Sequence, residues 1–156
     1  MKIGFFLNFE KSLGGGHFWR CLNLAKKMKK SGREFYFFSN IKDKSFLALL
    51  KKNNFRYIEI FEKKKEKFIK ELTQKIEYLK IKNLIIDSYK IDYFDEKKIK
   101  TATKKLIVID DYVNKRHYCD LFINNNFLSS ESKKIIKKKK SKDRISYWTQ
   151  LQYNKQ

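Results

Sequence analysis

The chain has 156 residues, 42% of them apolar, which suits about one domain with a real core and excludes global disorder. A formal net charge of +21 points first to nucleic acid or an anionic surface, but it is carried by lysines spread along most helical segments. The arginines that base readout favours are few (Arg20, Arg33, Arg56, Arg116 and Arg144), so the charge reads as the product of an AT-rich genome and no specific nucleic-acid partner is expected.

The stretch Ile3-Gly4-Phe5-Phe6-Leu7 reads as a first strand. Gly14, Gly15, Gly16 and His17 follow, ahead of Phe18, Cys21, Leu22, Ala25 and Met28 at helical spacing. Three of the chain's five glycines thus sit where a strand turns into a helix. Glycines there permit a sharp turn and close approach to a ligand, and the helix start favours an anion such as phosphate. The same dipole disfavours an imidazolium at His17, and a neutral imidazole is what a general base requires. A plain tight turn followed by a histidine of no chemical use satisfies the same residues. The spacing is neither the dinucleotide fingerprint nor a phosphate-binding P-loop, because no last glycine and no Lys-Ser or Lys-Thr follows.

Gly32 closes the first helix, and Glu34 to Ser39 reads as a second strand, apolar enough to be buried on both faces. A helix over 43–52 carries Phe46, Leu47 and Leu50 on one side, Asn53-Asn54 ends it, and Tyr57 to Ile60 forms a third strand. The spacing then predicts a long helix over 62–81 with Phe68, Leu72, Ile76 and Leu79 inward and charge outward. Leu84 to Asp87 is a fourth strand followed by Ser88-Tyr89, 96–104 a short helix, Leu106 to Asp111 a fifth strand, and Leu121 to Asn124 a sixth. Strands alternating with helices predict an α/β fold, a Rossmann-like parallel sheet with helices on both faces.

Ligands bind such sheets outside the carboxyl ends of the strands. The polar punctuation falls there each time: Gly14 to His17, Asp87-Ser88-Tyr89, Asp110-Asp111, and Asn124-Asn125-Asn126. Asp87 and Asp110 could equally cap the next helix, and the asparagines could form a turn. Cys21 and Cys119 are too few for a disulfide framework and lack metal-ligand spacing, so both read as reduced and structural. His117 lies in a loop before the sixth strand, a position that suits a surface residue. No signal peptide precedes the first strand and no apolar run approaches the roughly 20 residues of a membrane span, so the expected compartment is the cytosol.

In order, the motifs are Gly-x-Gly-His-x-x-Arg-Cys-Leu-x-Leu-Ala, Ile-Ile-Asp-Ser-Tyr, Ile-Asp-Asp and Cys-Asp-Leu-x-Ile-Asn-x-Asn. Over residues 1–127 the chain resembles the N-terminal half of the UDP-sugar hydrolases of pseudaminic acid biosynthesis. Those enzymes release UDP from UDP-2,4-diacetamido-2,4,6-trideoxy-β-L-altropyranose. They are similar to the two-domain GT-B glycosyltransferases, including the one that makes lipid II. The resemblance implies that His17 is the catalytic base for water attack on the anomeric carbon. It implies that Gly14, Gly15 and Gly16 lie against the phosphate or sugar, and the family's tyrosine falls on Tyr89; Asp87, Asn124 and Asn126, on the same predicted rim, complete the expected substrate-binding set. It implies no metal and no cofactor. An acceptor-side domain of a nucleotide-sugar glycosyltransferase is the alternative, since fold and glycine loop serve both. The family's Arg-x-Asp after the first strand is replaced here by Leu7-Asn8-Phe9-Glu10.

After Phe127 the pattern changes. Residues 128–156 read as a basic linker with the charge run Lys137 to Lys140, and a tail without period that should lack order; Lys133 to Ile136 could extend a helix. The family's second domain starts approximately Leu-Gly-Pro-x-Tyr-x-Ile-Ile. Read one nucleotide later, codons permitted for Tyr147 to Gln156 can encode Thr-Gly-Pro-Asn-Tyr-Asn-Ile-Ile-Asn. The expectation is a nucleotide-binding domain lost to a frameshift near residue 147, leaving little activity in the chain alone. The alternative is a natural short protein that pairs with a separately encoded second domain.

Overall fold

The computed structural model describes residues 1–7, 15–29, 32–112 and 115–124, and the backbone of 146–149. The glycine-loop residue Gly14, Asn126, the helix extension over 133–136 and the lysine run over 137–140 lie outside the described residues.

Among the described residues seven parallel strands form one sheet in the order β3-β2-β1-β4-β5-β6-β7. They are β1 (Lys2–Leu7), β2 (Glu34–Ser39), β3 (Arg56–Glu59), β4 (Asn83–Asp87), β5 (Lys105–Ile109), β6 (Leu121–Asn124) and β7 (Ser146–Thr149). The helices are α1 (Gly16–Met28), α2 (Lys44–Lys52), α3 (Lys65–Tyr78) and α4 (Tyr93–Lys100). The α/β, Rossmann-like fold expected from the alternation is therefore the observed one.

Side chains of the central strands alternate between two cores, as the pleat requires. Phe5, Leu7, Phe35, Phe37, Ile85 and Ile109 pack on one face with Phe18, Cys21, Leu22 and Ala25 of α1 and Leu50 of α2. Phe6, Phe38, Leu84, Ile86 and Val108 pack on the other with Ile69, Leu72 and Ile76 of α3 and Ile99 of α4. Gly4 is where β1 passes closest to its neighbours. A Cβ there would lie 2.8 Å from Leu84 Cδ1 and 2.9 Å from Ile81 Cγ2.

Most boundaries fall within a residue or two of the sequence expectation, and three elements differ more. α3 is shorter at both ends than 62–81, and Lys80, which turns left-handed (φ 54°), stops it on the C-terminal side. α4 starts three residues earlier than 96, at Tyr93, because Asp92 and Asp95 form a reciprocal capping box there. β7 lies inside the tail expected to lack order and pairs in parallel with β6 over Ser146–Thr149, so the sheet extends past residue 127.

The chain builds β1, β2 and β3 outward, then returns to place β4 on the other side of β1. The order of strands reverses between β1 and β4. In parallel sheets of this kind such a reversal marks where ligands bind, outside the carboxyl ends of the two strands.

Candidate active site

Register decides what stands at that end of the sheet. Asp87, the last residue of β4, is paired with Leu7, the last residue of β1. The chain after β1 comes back as α1, whose first turn carries His17 and, three residues on, Arg20. That spacing puts both side chains on one helix face. Both turn onto Asp87, which is fully buried.

His17 Nδ1 lies 2.6 Å from Asp87 Oδ1. A carboxylate oxygen only accepts, so this contact places a ring hydrogen on Nδ1, and in the neutral form of the ring the lone pair then stands on Nε2. Arg20 grips the same carboxylate with two donors, Nε to Oδ2 at 2.7 Å and Nη2 to Oδ1 at 2.6 Å. Its Nη2 is 3.3 Å from His17 Nδ1 because the two donors share the Asp87 Oδ1 acceptor. The third guanidinium nitrogen, Nη1, donates to Asp111 at 2.9 and 3.2 Å. Asp111 Oδ2 accepts the Tyr89 hydroxyl at 2.6 Å. The Tyr89 ring meets the His17 ring edge-on with centroids 4.7 Å apart, which closes the circuit. Cys21, beneath, points its thiol at Asp87 Oδ2 from 3.7 Å.

Electrostatics follow from this wiring. Burial works against the Arg20 charge, but the hydrogen bonds and charges of Asp87 and Asp111 outweigh it and hold the guanidinium protonated beyond its ordinary range. Burial alone would raise the Asp111 carboxyl; the bonds from Tyr89 and Arg20 together bring it below the usual carboxylate value. Burial, then the bond to Asp111, push the Tyr89 phenol up, so Tyr89 stays a donor at neutral pH. Burial and the Asp87 charge do the same to the Cys21 thiol, which remains an unreactive SH. Two carboxylates face one guanidinium, so the cluster carries an excess of negative charge beside the imidazole.

Gly15 is the N-cap of α1 and makes no side-chain cap bond. A Cβ on Gly15 would stand 3.0 Å from the Phe46 ring, whereas Gly16 has nothing within 4 Å of that position and is exposed. Packing therefore asks for glycine at 15 and not at 16.

His17, Asp87 and Tyr89 come together, with Gly15 and Gly16 at the head of the same helix. Asn124 does not join them: it is fully buried and its amide donates to the Asp110 carbonyl at 2.9 Å, tying β6 to the end of β5. Neither Asp87 nor Asp110 caps a helix. Asp92 caps α4, and Asp110 accepts the Tyr112 amide in its own turn. His117 is not a surface residue. It is 8% exposed, stacks on Phe122, and places Nδ1 2.7 Å from Oε1 of Glu96, which α4 turns inward. The sequence marked Arg20 only as a motif letter and Asp111 only as part of a strand-end acid pair. Their signal was the three-residue offset of Arg20 from His17 and the placement of both acids at carboxyl ends of strands.

Among the described residues no group of side chains is arranged to hold a metal ion. No described helix is long and apolar enough to cross a membrane.

No family model and no curated protein matches the chain. Among solved structures, it is similar to the crystal structure of MurG from Acinetobacter baumannii, with a TM-score of 0.59 at 12% identity over 83% of this chain. That likeness shows a GT-B glycosyltransferase-like fold. The chain spans 44% of the length of that structure.

Proposed function

We propose that the chain is the base-bearing half of a cytosolic hydrolase that releases UDP from UDP-2,4-diacetamido-2,4,6-trideoxy-β-L-altropyranose. The observation that carries the proposal is the His17–Asp87 pair, buried at one end and set at the carboxyl ends of β1 and β4, where the strand order reverses. With Nδ1–H committed to Asp87, His17 Nε2 takes a proton from water. The water oxygen bonds to the anomeric carbon, the bond from that carbon to the diphosphate oxygen breaks, and UDP leaves with its electron pair. Asp87 compensates the charge the ring gains, as an orienting carboxylate does in a hydrolytic triad. Arg20 and Asp111 hold Asp87 and Tyr89 in place. Amides at the start of α1, left without a side-chain cap, favour the developing diphosphate charge. Tyr89 would contact the sugar through its ring. The reaction balances with water, a base and UDP, and needs no cofactor. In a GT-B-type arrangement a second domain holds the nucleotide, and that domain would complete the site.

The GT-B glycosyltransferase-like fold favours a second reading, an acceptor-side domain of a nucleotide-sugar glycosyltransferase. The test is UDP release from the UDP-sugar with a second domain supplied in trans and no acceptor present. Free UDP and free sugar support the hydrolase, release that waits for an added acceptor supports the transferase, and release by the 156-residue chain alone refutes the need for a second domain.

A further inference from the structure

The carboxyl ends of β2 and β3 border a second concavity, of about 480 Å³, on the α3 side of the sheet. That volume suits a small organic molecule. Its floor is apolar: Ile60 and Ile91 are buried, and Phe68 of α3 packs edge-on against Phe6 with centroids 5.5 Å apart. Phe61 stands at the mouth, 69% exposed. Lys42, Lys63, Lys65 and Lys90 form the wall, against the two acids Glu59 and Glu62.

The lysines are not equivalent. Lys65 is engaged by Asp92 at 2.6 Å and Asp95 at 2.9 Å. Among the described residues no carboxylate lies within ion-pairing distance of Lys42 or Lys63. The first turn of α3 begins between Lys63 and Lys65 without a side-chain cap. The loop that leads to it is already fixed, because the amides of Phe61 and Glu62 both donate to Glu71 Oε2 at 3.0 Å. The cavity thus combines an apolar floor, an exposed aromatic ring, two ammonium groups outside any ion pair among the described residues and an uncapped helix start on a rigid loop.

We propose that this cavity binds a small organic phosphate, its carbon part on the Phe61 and Phe68 rings and its phosphate between Lys42, Lys63 and the start of α3. A phosphate dianion matches two ammonium groups, which a neutral ligand leaves uncompensated. An inorganic ion leaves Phe61 in water, which an organic one covers. None of the His17, Asp87, Arg20, Asp111 and Tyr89 side chains lines the cavity, although Lys90 follows Tyr89 in the chain and makes the two sites neighbours on the rim. The proposal does not rest on the hydrolase reading.

Calorimetric titration of the whole chain with phenyl phosphate, inorganic phosphate and benzyl alcohol tests it. Phenyl phosphate should bind at least about tenfold more tightly than either of the others. The double variant Lys42→Gln/Lys63→Gln should lose about tenfold in affinity, and Phe61→Ser should bring phenyl phosphate down towards inorganic phosphate. All three residues are on the surface rim, and the neutral pair Lys26→Gln/Lys27→Gln on the far turn of α1 controls for the +21 charge of the chain. Equal affinity for the phenyl and inorganic ions overturns the proposal. So does an equal loss in the two double variants, which reduces the binding to general electrostatics.

Discussion

The protein contains two histidines, and the structure gives both the same first partner. His17 Nδ1 meets Asp87 at 2.6 Å and His117 Nδ1 meets Glu96 at 2.7 Å, each acid being buried. Their surroundings part company from there. Asp87 is held by the Arg20 fork, and the His17 ring is part-exposed in the first turn of α1. Around His117 the ring is covered by Phe122, and Nε2 is buried 3.7 Å from Asp110 without a hydrogen-bond partner. An imidazole–carboxylate pair is therefore not by itself a sign of chemistry. A place at the reversal of strand order and an acid held by a guanidinium distinguish the candidate base from a brace between α4 and the loop before β6.

The sharpest way to break this comparison is to delete each ring. On the proposed function, with the second domain supplied, His17→Asn should lower UDP release by about 10²–10⁴-fold with little change in the urea midpoint. His117→Asn should do the reverse, lowering the midpoint and leaving turnover close to normal. Loss of activity in the second variant at unchanged stability would erase the distinction.

The next largest effect is on stability. Arg20→Met strips the buried Asp87 of its countercharge and should cost about 3–5 kcal/mol in urea unfolding. The double change Arg20→Met with Asp87→Asn should recover part of that loss, because the stranded anion is gone.

Acid titration sharpens the contrast further. The Asp111 carboxyl is lowered in the folded protein, so its contribution is present above the ordinary carboxylate value of about 4 and is lost as pH falls below it. Stability measured between about pH 5 and 2 should decline less steeply in Asp111→Asn than in the parent protein. The Tyr89 phenol, raised by burial and by Asp111, acts in the opposite direction and weakens the fold only above about pH 10.

The smallest effect separates the two glycines. Gly16→Ala has open space and a helical position, and should stabilise by about 0.5–1 kcal/mol. A loss of UDP release in a variant so stabilised would show that the ligand itself needs the bare backbone. Gly15→Ala must displace the Phe46 ring and tests packing instead.

Much of this arrangement was legible before any coordinates. The apolar runs of β1, β2 and β4, each closed by polar residues, required a parallel sheet and put His17, Asp87 and Tyr89 on one rim. What was not legible rests on partners distant in sequence. Arg20 and Asp87 are 67 residues apart, and nothing near either one announces the fork. His117 looked like a loop residue because its burial depends on Glu96, an acid that an amphipathic reading of α4 assigns to water. β7 is held by backbone pairing along β6, and such pairing leaves no periodic mark on the lysine-rich sequence around it.

The pairing of Leu7 with Asp87 has a consequence for how the sheet is assembled. Because side chains alternate, Ile85 and Asp87 face α1 while Leu84 and Ile86 face α3 and α4. A slip of β4 by one residue would invert all of them and drive the carboxylate into an apolar layer with no guanidinium in reach. The charged end of β4 thus proofreads the central strand pair: any register but the observed one strands a buried anion, so the alignment is fixed by charge as well as by apolar fit.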